Sequence, residues 1–141
     1  GLTPAYNLKK WKLKDKPQQL AGYRLPTEQE WKYAARGGSK GQPTTYAGSD
    51  QIKEVAWYKQ NTAEIGNTKL VGQKSSNELG LYDLSGNVWE WTNTQVNSFL
   101  VRCGGSYKNR ATACQVTSTD QLPPSAALNE LGLRVVRTKK Q

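Results

Sequence analysis

Few residues in this chain could do chemistry, and they are unevenly placed. Glu90 stands between two tryptophans in the stretch Ser85-Gly86-Asn87-Val88-Trp89-Glu90-Trp91, with Asp83 just before it. A carboxylate held by two indoles after a Gly-Asn turn predicts a rigid site braced by aromatic rings. Cys103 and Cys114 are the only cysteines, and the chain contains no histidine. That absence excludes Ser-His-Asp and Cys-His nucleophilic catalysis, HExxH metal hydrolysis and His-ligated haem within the chain. Two thiols without histidine cannot complete a Cys/His zinc site. Their spacing leaves open whether they form a disulfide or stand as two buried thiols. No GxxxxGK[ST] loop and no GxGxxG turn offers a nucleotide site.

A length of 141 residues fits one domain. The mean hydropathy is −0.79, and 35% of residues are hydrophobic, values that raise the question of disorder. Five Trp and seven Tyr answer it, because each buries a large area, and 13 Gly imply a loop-rich domain organised around aromatics. The net charge is +9. Much of it gathers at the ends, in Lys9, Lys10, Lys12, Lys14 and Lys16 and in Arg134, Arg137, Lys139 and Lys140. With no basic stripe interleaved with aromatics through the middle, the charge reads as solvated tails, and no nucleic-acid partner is expected. No run approaches the roughly 18 apolar residues that a membrane span requires, so none is expected in this chain.

The elements that must position these residues follow from local signals. Residues 1–22 read as a Lys-rich strand-loop segment anchored by Trp11. Thr27-Glu28-Gln29-Glu30 is a capping box, with Trp31, Ala34 and Ala35 on one helical face and Gly37-Gly38 beyond, which predicts a helix over about 26–37. From residue 38 to 76 the composition is that of loop, with short strands at Val55-Ala56-Trp57-Tyr58 and Leu70-Val71. Phe99-Leu100-Val101 and the stretch 132–137 read as further strands.

Four blocks of the sequence resemble one family in order. They are Tyr23-Arg24-Leu25-Pro26-Thr27-Glu28-Gln29-Glu30-Trp31 through Gly38, the run from Asn77 to Trp91, Gly104-Gly105-Ser106-Tyr107, and Leu131-Gly132-Leu133-Arg134. The chain is thereby identified as a member of the formylglycine-generating-enzyme (sulfatase-modifying factor) domain family. The resemblance implies an α+β, C-type lectin-like fold, loop-rich with few short strands. It also implies a single domain over 1–141 that lacks an N-terminal part. The family's calcium site falls on Asp83, Gly86, Val88 and Glu90, a set of hard oxygen donors that suits a structural Ca²⁺. The alternative is that Asp83 and Glu90 cap local amides. In the family's oxidase, which generates formylglycine from a sulfatase cysteine, two cysteines after the Gly-Gly-Ser-aromatic block hold copper. Here the first position is Asn109, and Cys114 alone cannot give soft Cu(I) its second thiolate. No copper, no catalytic residue and no enzyme activity are therefore expected.

Residues 102–130 resemble the variable region of one branch of the family, the variable proteins of diversity-generating retroelements. Ala111, Cys114, Val116, Pro124 and Asn129 agree with that branch's template-like pattern. Lys108, Arg110, Ala113, Ser118, Asp120, Gln121, Leu122, Pro123, Ala126, Leu128 and Glu130 replace its asparagines. Mutagenesis at template adenines would scatter Asn codons into Ser, Asp, Ala, Leu and Pro. Lys108, Arg110, Gln121 and Glu130 are less readily reached and need other template codons; ordinary loop drift is the competing explanation. The resemblance implies a ligand-binding surface made of those eleven positions with Arg102, Tyr107, Asn109, Thr112 and Asn129. It further implies a protein or surface-molecule partner and a cell-surface or extracellular location. A conventional module of fixed carbohydrate or protein specificity remains the alternative.

Overall fold

The computed structural model of the chain describes residues 2, 4–7, 12–13, 21–62 and 67–138. Its first elements are two two-residue strands, Tyr6–Asn7 (β1) and Lys12–Leu13 (β2), paired antiparallel. Trp11, expected to anchor this segment, lies outside the described residues. Tyr23–Arg24 (β3) then leads into the helix that the capping box predicts.

That helix, α1, spans Glu28–Ala35 and is shorter than the expected 26–37. At its start Thr27 is extended (φ −68, ψ 162), so that its hydroxyl can accept the Glu30 amide at 3.2 Å, and Pro26 lies outside for the same reason. Glu30 Oε2 in turn accepts the Thr27 amide at 2.8 Å. At the other end Arg36 caps the helix and Gly37, at φ 81, turns the chain away. The inward face is Trp31 and Ala35, both buried, whereas Ala34 is only half-buried.

The helix packs on a four-stranded sheet. Trp89–Val96 (β6 in the chain order given below) and Phe99–Cys103 (β7) form an antiparallel hairpin, turning at Asn97 with φ 54. Thr119–Leu122 (β8) adds antiparallel to β7, and Leu131–Leu133 (β9) adds parallel to β6, giving the order β8-β7-β6-β9. The intervening elements are a helical turn at Ile52–Val55 (α2), Ala56–Trp57 (β4), a turn at Lys59–Thr62 (α3) and Ser85–Gly86 (β5). Strand β5 pairs parallel with β4. Trp31 and Ala35 meet Ala47, Leu84, Val101, Cys103 and Val116 in one core cluster. Tyr46, Val55, Ala56, Tyr58 and Cys114 make a second. This is the loop-rich α+β architecture expected from the sequence.

Two strand expectations change. Leu70 and Val71 are exposed turn residues rather than a strand. The single final strand expected over 132–137 is broken: β9 belongs to the main sheet, while Val136–Arg137 (β10) pairs antiparallel with β3. Between them Arg134 leaves the ladder to reach Glu90.

Glu30 ties the capping box to β3, because the Arg24 guanidinium grips its two carboxylate oxygens at 2.6 Å each. The hydrogen bond from Arg24 is the main reason the Glu30 carboxyl is held down at about 2. A folded-state value below the unfolded one means that the pair stabilises the fold above pH ~4.3 and loses its contribution as pH falls toward 2. Glu30→Gln is therefore expected to lower the melting temperature at pH 6 and to converge with the parent protein near pH 2. A constant gap across a pH-dependent melting series would contradict this.

Candidate functional site

The Ser85-Gly86-Asn87 turn joins three separate pieces of chain. Gly86 sits at φ 76 against β4, where a Cβ would collide with the Trp57 carbonyl, so the position needs glycine on both counts. Asn87 follows at φ 62, a region in which Asn is the best tolerated side chain after Gly. Its amide donates to the Trp57 carbonyl at 2.7 Å, and its carbonyl accepts the Tyr107 amide at 2.9 Å. Its side chain exchanges two hydrogen bonds with the Lys69 backbone, at 3.0 and 3.2 Å. The motif that looks like an active site in sequence is thus a splice between β4, the 67–72 loop and the Gly-Gly-Ser-Tyr block.

Beyond Cys103 the chain turns through that block. Gly105 (φ 70) lies against the Ala113 carbonyl and the Cys114 sulfur, so the turn is pressed onto the 3-10 turn at Ala111–Cys114. Asn109 Oδ1 accepts from the Ser106 amide at 3.0 Å and the Ser106 hydroxyl at 2.6 Å. Thr62 Oγ1 donates to the Tyr107 carbonyl at 2.8 Å. From there the chain runs out along β8 at one edge of the sheet and returns through residues 123–130 to β9 at the opposite edge. That return must span three interstrand spacings, about 14 Å.

The sequence-predicted surface residues separate into two groups. Tyr107 is 4% exposed and Arg102 9%, so both lie under the surface rather than on it. Arg102 stacks on the Trp89 ring at 4.7 Å and bonds Asp120 Oδ2 at 2.6 Å. Asn109 is half-buried and used in its own turn. By contrast Lys108, Arg110, Thr112, Asp120, Gln121, Pro123, Leu128 and Asn129 are exposed, and Ala113, Ser118, Leu122, Ala126 and Glu130 are half-buried. Lys108 and Glu130 face each other as an ion pair at 2.9 Å, bridging the two ends of the segment. The sequence missed the inward roles of Arg102 and Tyr107 because Arg and Tyr usually serve well as surface contacts.

Three of the four predicted cation ligands, Asp83, Val88 and Glu90, share one cavity, and Gly86 is not part of its lining. Asp83, at φ 57, is buried; its Oδ2 accepts the Gly72 amide at 2.8 Å, and its Oδ1 has no partner among the described residues. Asp83, Asn87, Val88, Glu90 and Arg134 line one cavity of about 420 Å³. Glu90 is already engaged. Its Oε2 accepts the Trp31 indole at 2.7 Å and Arg134 Nε at 2.9 Å, and its Oε1 accepts Arg134 Nη2 at 2.8 Å. Arg134 Nη2 also donates to the Tyr82 carbonyl at 2.8 Å. Of the predicted carboxylate ligands only Asp83 keeps an oxygen without a partner among the described residues, and Glu90 offers only the lone pairs its three donors leave. Among the described residues no three His, Cys, Asp or Glu side chains gather as a metal cluster.

Both thiols are free and buried, in different core clusters. Burial pushes each up to about 12. Reactive thiols need the opposite environment, one that favours thiolate.

With this geometry in hand, the comparisons are specific. Residues 5–139 match the family described as sulfatase-modifying factor enzyme 1-like domain. The chaperone protein LppX of Paenibacillus barcinonensis is 41% identical over 140 residues, covering 84% of this chain and 50% of LppX. An inactive C-alpha-formylglycine-generating enzyme 2 of Bos taurus is 36% identical over 133 residues, covering 80% of this chain and 43% of the other. Among solved structures, Treponema denticola variable protein 1 superposes with a TM-score of 0.80 at 29% identity, over 96% of this chain and 55% of that one. The chain spans about half the length of these relatives. The likeness to a variable protein, read from the sequence, is matched by this superposition.

Removing Arg134 would strand a buried carboxylate. Arg134→Ala is expected to cost about 3 kcal/mol in a urea denaturation series. Lys108→Ala, at an exposed ion pair, should leave the transition midpoint unchanged. Equal effects of the two substitutions would sink the assignment of Glu90 as the buried node.

Proposed function

The chain belongs to the sulfatase-modifying factor enzyme 1-like domain family, and from that premise we propose that it is a non-enzymatic receptor displaying a diversified surface over residues 102–130. One observation carries the reading. Within that segment the only buried positions among those compared are Cys114 and Val116, which agree with the variable-region pattern. Of the other agreeing positions, Ala111 is half-buried and Pro124 and Asn129 are exposed; none of the eleven replaced positions in that pattern is buried. Lys108, Arg110, Asp120, Gln121, Pro123 and Leu128, which replace its asparagines, are all exposed. Substitution at exposed loop positions is tolerated because little packing is lost, and a rigid base limits the entropy that binding must overcome. Ordinary drift would favour exposed positions too, so the genomic test is the one that discriminates.

Binding would then work by presentation. Arg110, Leu122 and Asn129 offer a charge, an apolar tip and an adaptable amide to a protein or surface-molecule partner. Tyr107 and Arg102 support that surface from beneath. The receptor acts at the cell surface or outside the cell, and its partner is not nucleic acid. The burial of Cys114, with Asn109 in place of a first cysteine, supports the absence of oxidase chemistry.

A near-copy of the coding segment for residues ~100–141 beside the gene, differing at template adenines, is expected on locus sequencing. With it, full-length protein should oxidise no cysteine peptide. Absence of a near-copy together with invariance between isolates would reject diversification. A second reading, a module of fixed specificity, is favoured by the higher identity to a chaperone, 41% against 29% for the variable protein; invariance between isolates would support it.

We also propose a structural Ca²⁺ held by Asp83 with the Gly86 and Val88 carbonyls, Glu90 contributing its free lone pairs. Millimolar Ca²⁺ is expected to raise the melting temperature of the parent protein over that in chelator, and Asp83→Ala should abolish the difference. No shift in the parent protein would exclude the ion.

A further inference from the structure

Two lysines lie over the Trp57 ring, and the backbones of three further cations, Lys53, Lys59 and Arg110, run close by. Lys74 Nζ donates to the Lys53 carbonyl at 2.6 Å and lies 4.2 Å from the Trp57 ring centroid. Lys69 Nζ lies 5.8 Å from the same ring. Lys59, two residues beyond Trp57, donates its amide to the Asn109 carbonyl at 2.9 Å, which places Arg110 alongside. Among the described residues none of these five side chains is in an ion pair. Of the described acids nearby, Glu54 takes the Ser49 hydroxyl and Asp50 that of Thr45, each at 2.7 Å, and neither bonds one of the five cations, which outnumber them. Lys53, Lys59 and Arg110 are exposed.

Uncompensated like charges repel one another, so this cluster is unfavourable in the free protein and is relieved by an anionic partner. Its form says which kind. Four of the five are lysines, point charges without the planar fork that grips a single phosphate or carboxylate. Lys53, Lys59 and Arg110 are exposed, so these charges stand on an open surface rather than walled around a small anion or sugar. Scattered charges on an open surface fit scattered carboxylates on another.

We propose that the four lysines of this cluster form a docking shoulder for the acidic face of a protein partner, adjoining the substitutable surface at Asn109 and Arg110. The adjacency matters only if residues 102–130 are the receptor surface; the charge does not depend on that reading. The shoulder supplies long-range attraction common to all partners, leaving discrimination to the neighbouring side chains.

The test uses poly-L-glutamate as probe, titrated by calorimetry against the full chain. Binding should weaken steeply as NaCl rises past about 0.1 M. The double substitution Lys53→Glu with Lys59→Glu should weaken it about tenfold, whereas Arg36→Glu with Lys40→Glu, an equal charge change elsewhere, should leave it nearly unchanged. Equal weakening by the two pairs overturns the proposal, since net charge alone would then explain the binding. Tighter binding of polygalacturonate or of an oligothymidylate matched in charge number also overturns it, in favour of a glycan or a nucleic acid. Because the probe is indifferent to variation at residues 102–130, an invariant locus would leave this result standing.

Discussion

A single buried carboxylate organises this domain. Glu90 is 5% exposed, and an ion so placed costs several kcal/mol unless its lone pairs are matched. Its partners come from opposite ends of the chain, the Trp31 indole from α1 and the Arg134 guanidinium from the segment after β9. Satisfying Glu90 therefore obliges the helix, the central strand and the C-terminal segment to meet. The same requirement explains the broken final strand. Arg134 cannot reach Glu90 and also continue a straight ladder, so the chain leaves the sheet at Leu133 and pairs again, at Val136–Arg137, with β3.

Around that node the polar contacts differ in kind. Buried ones such as those of Asn87, Ser85 and Thr92 are made largely to backbone, to the Trp57 and Val101 carbonyls or from the Ala47 amide. They fix where the chain goes irrespective of which residues surround it. The ion pairs of the 102–130 segment, Arg102 with Asp120 and Lys108 with Glu130, each include a side chain at a position where this chain departs from the asparagine pattern, namely Asp120, Lys108 and Glu130. Their exposed members are held in solvent, where such pairs contribute little. A segment can exchange contacts of the second kind freely while the first kind holds its path. Such a division would let one scaffold carry different surfaces.

How much was legible in advance varied with the range of the interaction. The capping box at Thr27 and Glu30 is a four-residue signal, and it formed as read; only the helix ends moved, because an N-cap must be extended. The alternating Leu131–Leu133 and Val136–Arg137 read as one strand because the force that divides them acts from Glu90, over forty positions away in sequence. Tyr107 and Arg102 looked like contact residues for the same reason: residue type suggests exposure, and only the Trp89 ring and the Thr62 hydroxyl draw them inward. The basic residues near the middle of the chain looked unremarkable one at a time.

By itself the sequence determined the family, the α+β class, the helix start and the absence of histidine chemistry. Each of these is written in residue types and short spacings, where the relevant physics is local. The tertiary structure alone decided that Glu90 is shared by Trp31 and Arg134, that Asp83 Oδ1 has no partner among the described residues, that the two thiols lie in separate cores, and that Lys69 and Lys74 meet over Trp57. Those facts depend on which distant groups the packing of β6 against α1 brings within hydrogen-bonding and Coulomb range, and no short window of sequence contains both members of such a pair.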